Sequence, residues 1–183
     1  MKWDANKTTV PLYVWKDDSK ISQLLASDDR MTELIANLLR ANFKTLKEQN
    51  KGGVVTMDIP GTAPNNFIEL GGGAKKWSTL DLQSSLGRAR VFGKIKVTLG
   101  DKHNDADKLN IQELITDFTV SDIYDFNYFG SRAFKIPDAA RVQAGWQIFG
   151  EGKDKAAGQV FRDDFKVKIT KSGIFQQGVG FTQ

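Results

Sequence analysis

The chain contains no cysteine and a single histidine. The first absence excludes disulfides, thiolate zinc sites and cysteine nucleophiles. It also fits a protein that works in either a reducing or an oxidising compartment. The second leaves His103 alone, which excludes a multi-histidine metal centre. No stretch approaches the roughly 18 uninterrupted apolar residues of a membrane span. Met1-Lys2-Trp3-Asp4 lacks the apolar core of a signal peptide, so any export is expected to use a route that reads no such signal. What remains is a chain of 183 residues with 40% hydrophobic content. That is enough for a real core in one domain, or in one domain with a small N-terminal extension.

Net charge is +4, and its position matters more than its size. Residues 132–183 carry nine Lys or Arg against five Asp or Glu, so the whole excess lies in the C-terminal third. Such a bias favours an anionic partner, whether phosphate, lipid headgroup or nucleic acid. A solvated basic surface explains it equally well. Neither a basic helix nor an aromatic RNA-binding pattern occurs, so nucleic acid is not an expected partner.

Along the chain, Thr9–Trp15 alternates as a short strand, and Pro11 assigns it to a sheet edge. A helical region follows. Asp28 or Asp29 caps it, and Met31, Leu34, Ile35, Leu38, Leu39, Phe43 and Leu46 recur at a helical period until Gly52-Gly53 breaks it. Val54–Ile59 and Phe67–Leu70 are strand candidates separated by turn residues. Ser78 to Leu86 forms a short helix pattern closed by Gly87. Gly71-Gly72-Gly73 lacks the Gly-Lys-Ser/Thr ending of a phosphate loop.

From Arg88 onward the pattern is β. Ala89 and Val91, then Ile95, Val97 and Leu99, alternate on either side of Gly93, which marks a bulge or bend. Gly100–Lys108 is a polar turn. Asn110–Tyr124 is a long strand rich in β-formers. Pro137 opens a short helix through Ile148. Gln159–Thr170 is expected to be the last strand, with a loosely held glycine-rich tail from Gly173. The expected fold class is α+β: an N-terminal helical region, then an antiparallel, strongly curved, open-barrel-like sheet. Residues 1–74 would be a strand and helical support and 75–183 a β-rich domain, together one compact unit.

Residues 121–132, Ser-Asp-Ile-Tyr-Asp-Phe-Asn-Tyr-Phe-Gly-Ser-Arg, break the ordinary alternation of a strand. In an extended chain Asp122 and Tyr124 share one face and Asp125 points to the other. The two carboxylates converge only if the chain bends at or just after Tyr124. On residue types alone, an ordinary strand end closed by an Asx turn at Asn127 is the better fit. Arg132 would then pair with a surface carboxylate.

The spacing Asp122-x-Tyr124-Asp125-Phe126-Asn127 with Arg132 resembles the signature of colicin M-type toxin domains. These hydrolyse lipid II, the lipid-linked peptidoglycan precursor, at its polyprenyl-pyrophosphate linkage. The resemblance implies catalytic roles for Asp122, Tyr124, Asp125 and Arg132, and substrate contacts from Asn127 and Ser131. It also implies Mg²⁺, held by Asp122 and Asp125. Carboxylates suit that hard, oxygen-preferring ion, and Arg132 could grip a phosphoryl oxygen. The family places His-Arg where this chain has Ser131-Arg132, and a serine hydroxyl cannot serve unaided as a base near neutral pH. His103 could approach only from the Gly100–Lys108 turn. The implied biology is an antibacterial effector, secreted without a signal peptide and acting in the periplasm or envelope of a target cell. Its partners would be the lipid-linked precursor, a cognate immunity protein and a secretion-system component. The alternative is a non-catalytic module of such a system that recognises an anionic ligand or a protein.

Overall fold

A computed structural model of the chain describes residues 12–61, 68–71, 77–80, 82, 86, 89–124 and 161–182. β1 (Leu12–Trp15) leads into three helices, α1 (Lys20–Ala26), α2 (Asp29–Ala41) and α3 (Phe43–Glu48). β2 (Val54–Ile59), β3 (Ile68–Leu70), β4 (Ala89–Leu99) and β5 (Lys108–Tyr124) follow. The described chain closes with β6 (Phe161–Val167), β7 (Thr170–Gln176) and β8 (Gly180–Thr182).

The helices start where their caps dictate. Asp28 accepts the Arg30 amide at 2.8 Å through Oδ1, and its Oδ2 takes the Ser78 amide at 3.0 Å and the Ser78 hydroxyl. One buried carboxylate thereby caps α2 and ties it to the segment at Ser78. Met31, Leu34, Ile35 and Leu39 are buried on one side of α2, each worth about 1.5–3 kcal/mol of hydrophobic burial. The single long helix expected from periodicity is divided at Asn42. Its Nδ2 donates to the Leu38 carbonyl at 2.9 Å, a side-chain competitor for the helical ladder. Another helix, α1, precedes this region, capped by the Ser19 hydroxyl on the Ser22 amide.

β4 and β5 form the long central pair, and each is flanked by two shorter strands laid end to end. β2 and β3 share the outer edge of β4, while β6 and β7 share that of β5. β1 extends the sheet beyond β6, and β8 beyond β7. Strands from 12–59 and from 89–182 thus interleave in one sheet. Buried residues of the three helices and of one sheet face make a single apolar cluster, with Ile95, Val97, Leu114, Phe118, Val120 and Phe175 at its centre.

Three expectations need correction. The class is α+β, but the sheet is open and not strongly curled. Nor is it purely antiparallel, because β1 runs parallel to β6. Gly93 is not a bulge: β4 passes through it in register with Phe118 and Ile59. Its φ of +136° and a virtual Cβ only 2.1 Å from the Asp117 carbonyl oxygen show what the glycine is for. The neighbouring strand comes too close for any side chain. Finally, the tail is ordered into β7 and β8. β6 and β7 are almost one strand, interrupted at Lys168-Ile169, where the Ile169 amide bonds the Thr116 hydroxyl at 2.9 Å instead of a backbone carbonyl.

Candidate functional site

The acidic-aromatic motif begins at the end of β5. On this strand Leu114, Thr116, Phe118 and Val120 alternate into the helix-covered face. Period two carries Asp122 onto that same face, where it is 8% exposed. Tyr124 is the last residue of β5 and stands opposite Phe161. Asp125, Asn127, Ser131 and Arg132 lie outside the described residues, as does the short helix expected after Pro137.

The residue directly across from Asp122 is Asp163 of β6, also 8% exposed. Opposed residues in an antiparallel pair hold their Cβ atoms about 4.5–5.5 Å apart. The sequence reading missed Asp163, although a signal was present. It occupies the parity of Phe161, Phe165, Val167 and Ile169, so a carboxylate stands where that strand is otherwise apolar. Like charges directly opposed in a sheet are destabilising, and burying an ionised carboxylate costs more still.

β1 supplies the third component. Parallel pairing sets Trp15 beside Phe165, and their rings stack with centroids 6.2 Å apart. The indole Nε1–H then donates to Asp163 Oδ1 at 3.0 Å. Burial raises the Asp163 pKa above the ordinary carboxylate value; the indole hydrogen bond opposes that rise and the adjacent Asp164 charge adds to it. Asp164 itself points to the opposite face. There it receives Arg162 Nε at 2.7 Å and Nη2 at 2.8 Å, and the guanidinium lies 5.8 Å from the Phe92 ring centre.

His103 is far from this pair. It sits in the loop before β5, where its Nδ1 accepts the Asp105 amide at 3.1 Å. The 14 residues from the start of β5 to Asp122 span roughly 45 Å at strand rise. The loop is instead anchored by Lys47 of α3, whose ammonium donates to the carbonyls of His103, Asp105 and Lys108 at 3.0, 2.7 and 2.7 Å.

Among the described residues no three His, Asp or Glu side chains gather into a metal cluster. Mg²⁺ keeps several waters and takes one or two protein carboxylates. Asp122 is a donor of that type, with the carboxylate of Asp163 opposite it across the strand pair. No helix among the described residues is long and apolar enough to cross a membrane. Compared with known proteins, the chain matches no family model, no curated protein and no solved structure.

Proposed function

We propose that the chain is an antibacterial toxin domain that hydrolyses the polyprenyl-pyrophosphate linkage of lipid II. The observation that carries this reading is the buried cross-strand pair of Asp122 and Asp163, located where the colicin M-like motif starts. A buried carboxylate whose pKa is raised by its surroundings, as at Asp163, is the kind of acid that concentrates at functional sites.

The chemistry asks for charge neutralisation on phosphoryl oxygens, an oriented water and a proton for the leaving oxygen. When bound, Mg²⁺ supplies the first of these, with Asp122 and Asp125 as the residues that would hold it. The leaving oxygen needs an acid held in its protonated form. Asp163 is suited to the protonated role: burial favours its neutral form, and the Trp15 indole fixes Oδ1, leaving Oδ2 to carry the proton. In that arrangement Asp163 takes on the proton transfer that the family assigns to histidine, and Ser131 need not perform it. Arg132 and Asn127 would contact the pyrophosphate.

The test is incubation with lipid II and Mg²⁺, following the released pyrophosphoryl product. Turnover by the wild type, lost in Asp122→Asn and in Asp163→Asn with the fold intact, is expected. A second reading, a non-catalytic module of a toxin or secretion system that recognises an anionic ligand or a protein partner, is favoured by Ser131, which brings no proton-transfer group. Tight binding of lipid II with no turnover would select it.

A further inference from the structure

The opposite face of the sheet carries a second feature, independent of both carboxylates. Lys16, Lys166 and Lys168 line a groove of about 450 Å³ together with Asp17, Ile115, Thr116, Asp117 and Val167. That volume falls in the range of small-ligand sites. Its construction follows from register. Trp15 pairs with Phe165, so the next residues, Lys16 and Lys166, are neighbours on the outer face. Period two places Lys168 on that face beside Lys166, at the interruption between β6 and β7. Asp117 stands opposite Lys94 of β4 on one side and, one step beyond the Phe118–Val167 pair, beside Lys168 on the other.

Cations adjacent across strands repel one another. Two other cations on this face have acidic partners. Arg162 is paired with Asp164, and Lys94 lies 3.9 Å from Asp58. Among the described residues Lys16, Lys166 and Lys168 enter no ion pair. Lys166 makes one neutral contact, donating to the Thr119 hydroxyl at 2.9 Å. This leaves three ammonium groups around one concavity, more than its two carboxylates balance.

We infer that this groove is a binding site for a phosphate-bearing anion, held by Lys16, Lys166 and Lys168. A phosphoryl group presents several charged oxygens to several ammonium donors at once, the match that lysine clusters make as point charges. The phosphate comes either from a free phosphate ester or from an anionic lipid headgroup, and the chemistry of recognition is the same.

The experiment uses the full chain without divalent metal, so that the Asp122 row contributes nothing. Inorganic pyrophosphate is titrated calorimetrically, and phosphatidylcholine vesicles with and without phosphatidylglycerol are tested by co-sedimentation. The double variant Lys16→Gln, Lys168→Gln should bind about tenfold more weakly, and Asp117→Asn about threefold more tightly. Added salt should weaken all three. A gain in Asp117→Asn cannot arise from misfolding, and Lys44→Gln on α3 controls for non-specific loss of charge. This pattern with pyrophosphate assigns a free phosphate ester. The pattern with phosphatidylglycerol vesicles alone assigns a lipid headgroup. Binding of neither probe, or equal binding by wild type and all variants, overturns the site. Because hydrolysis of lipid II is not measured, failure here leaves the carboxylate reading standing, and the reverse also holds.

Discussion

Asp163 combines a stability cost with a chemical opportunity. Its pKa is raised in the folded state, chiefly by burial, so the native protein binds that proton more tightly than the unfolded chain does. The resulting stabilisation is complete below the unfolded carboxylate value of 3.8 and is lost as pH rises through the folded pKa. Asp163→Asn removes the titration yet keeps an oxygen for the Trp15 indole. It should therefore melt higher than the wild type at pH 7, with the two curves converging as pH falls toward 3.8. Melting curves across pH check this, and a wild type that is the more stable at pH 7 would refute it. Trp15→Phe isolates the hydrogen bond, since a ring still stacks on Phe165. That bond opposes the rise, so its loss pushes the Asp163 pKa further up. If Asp163 carries the transferred proton, the alkaline limb of the hydrolysis profile moves to higher pH. An unmoved limb, with activity otherwise normal, removes Trp15 from positioning.

At the scale of elements, close approach and tethering govern what substitution can do. Gly93→Ala must drive a methyl into the Asp117 carbonyl oxygen at a positive φ. Overpacking and backbone strain together predict a loss of roughly 3 kcal/mol or more, measurable by urea unfolding. Lys47→Met should cost about 2–3 kcal/mol, because three carbonyls lose a charged donor. Faster amide exchange confined to 101–108 would localise the effect. The elements legible in sequence were those with one clean apolar face: α2, β2, β4 and most of β5. β7 was not, because only Phe175 among its residues is fully buried and the strand is held by its ladder to β5. The break at Asn42 was hidden because its cause is one side-chain amide, while the apolar period runs on through Phe43 and Leu46.

For the whole molecule, the candidate site divides along the same line. Asp122 was legible because a local motif marks it. Asp163 and Trp15 were not, because they join Asp122 only through register between strands some 40 to 150 residues apart in sequence. The parallel pairing of β1 was equally hidden, since alternation reveals a strand but not the direction of its neighbour. The proposed activity also predicts a compartment effect. Directed to the periplasm, the wild type should lyse cells, while cytoplasmic expression should be far milder, and Asp122→Asn should be harmless in both. Equal lysis by wild type and variant in the periplasm would separate toxicity from the carboxylate. A temporal consequence follows from β1. β1 must wait for β6, which lies about 150 residues later in the chain, while the β4–β5 hairpin can form early from neighbouring residues. The Trp15–Asp163 bond therefore belongs to the long-range stage of folding, later than the hairpin that carries Asp122. On the proposed reading, the paired carboxylates and their indole thus come together only after β6 has been made, later than the strand that carries Asp122.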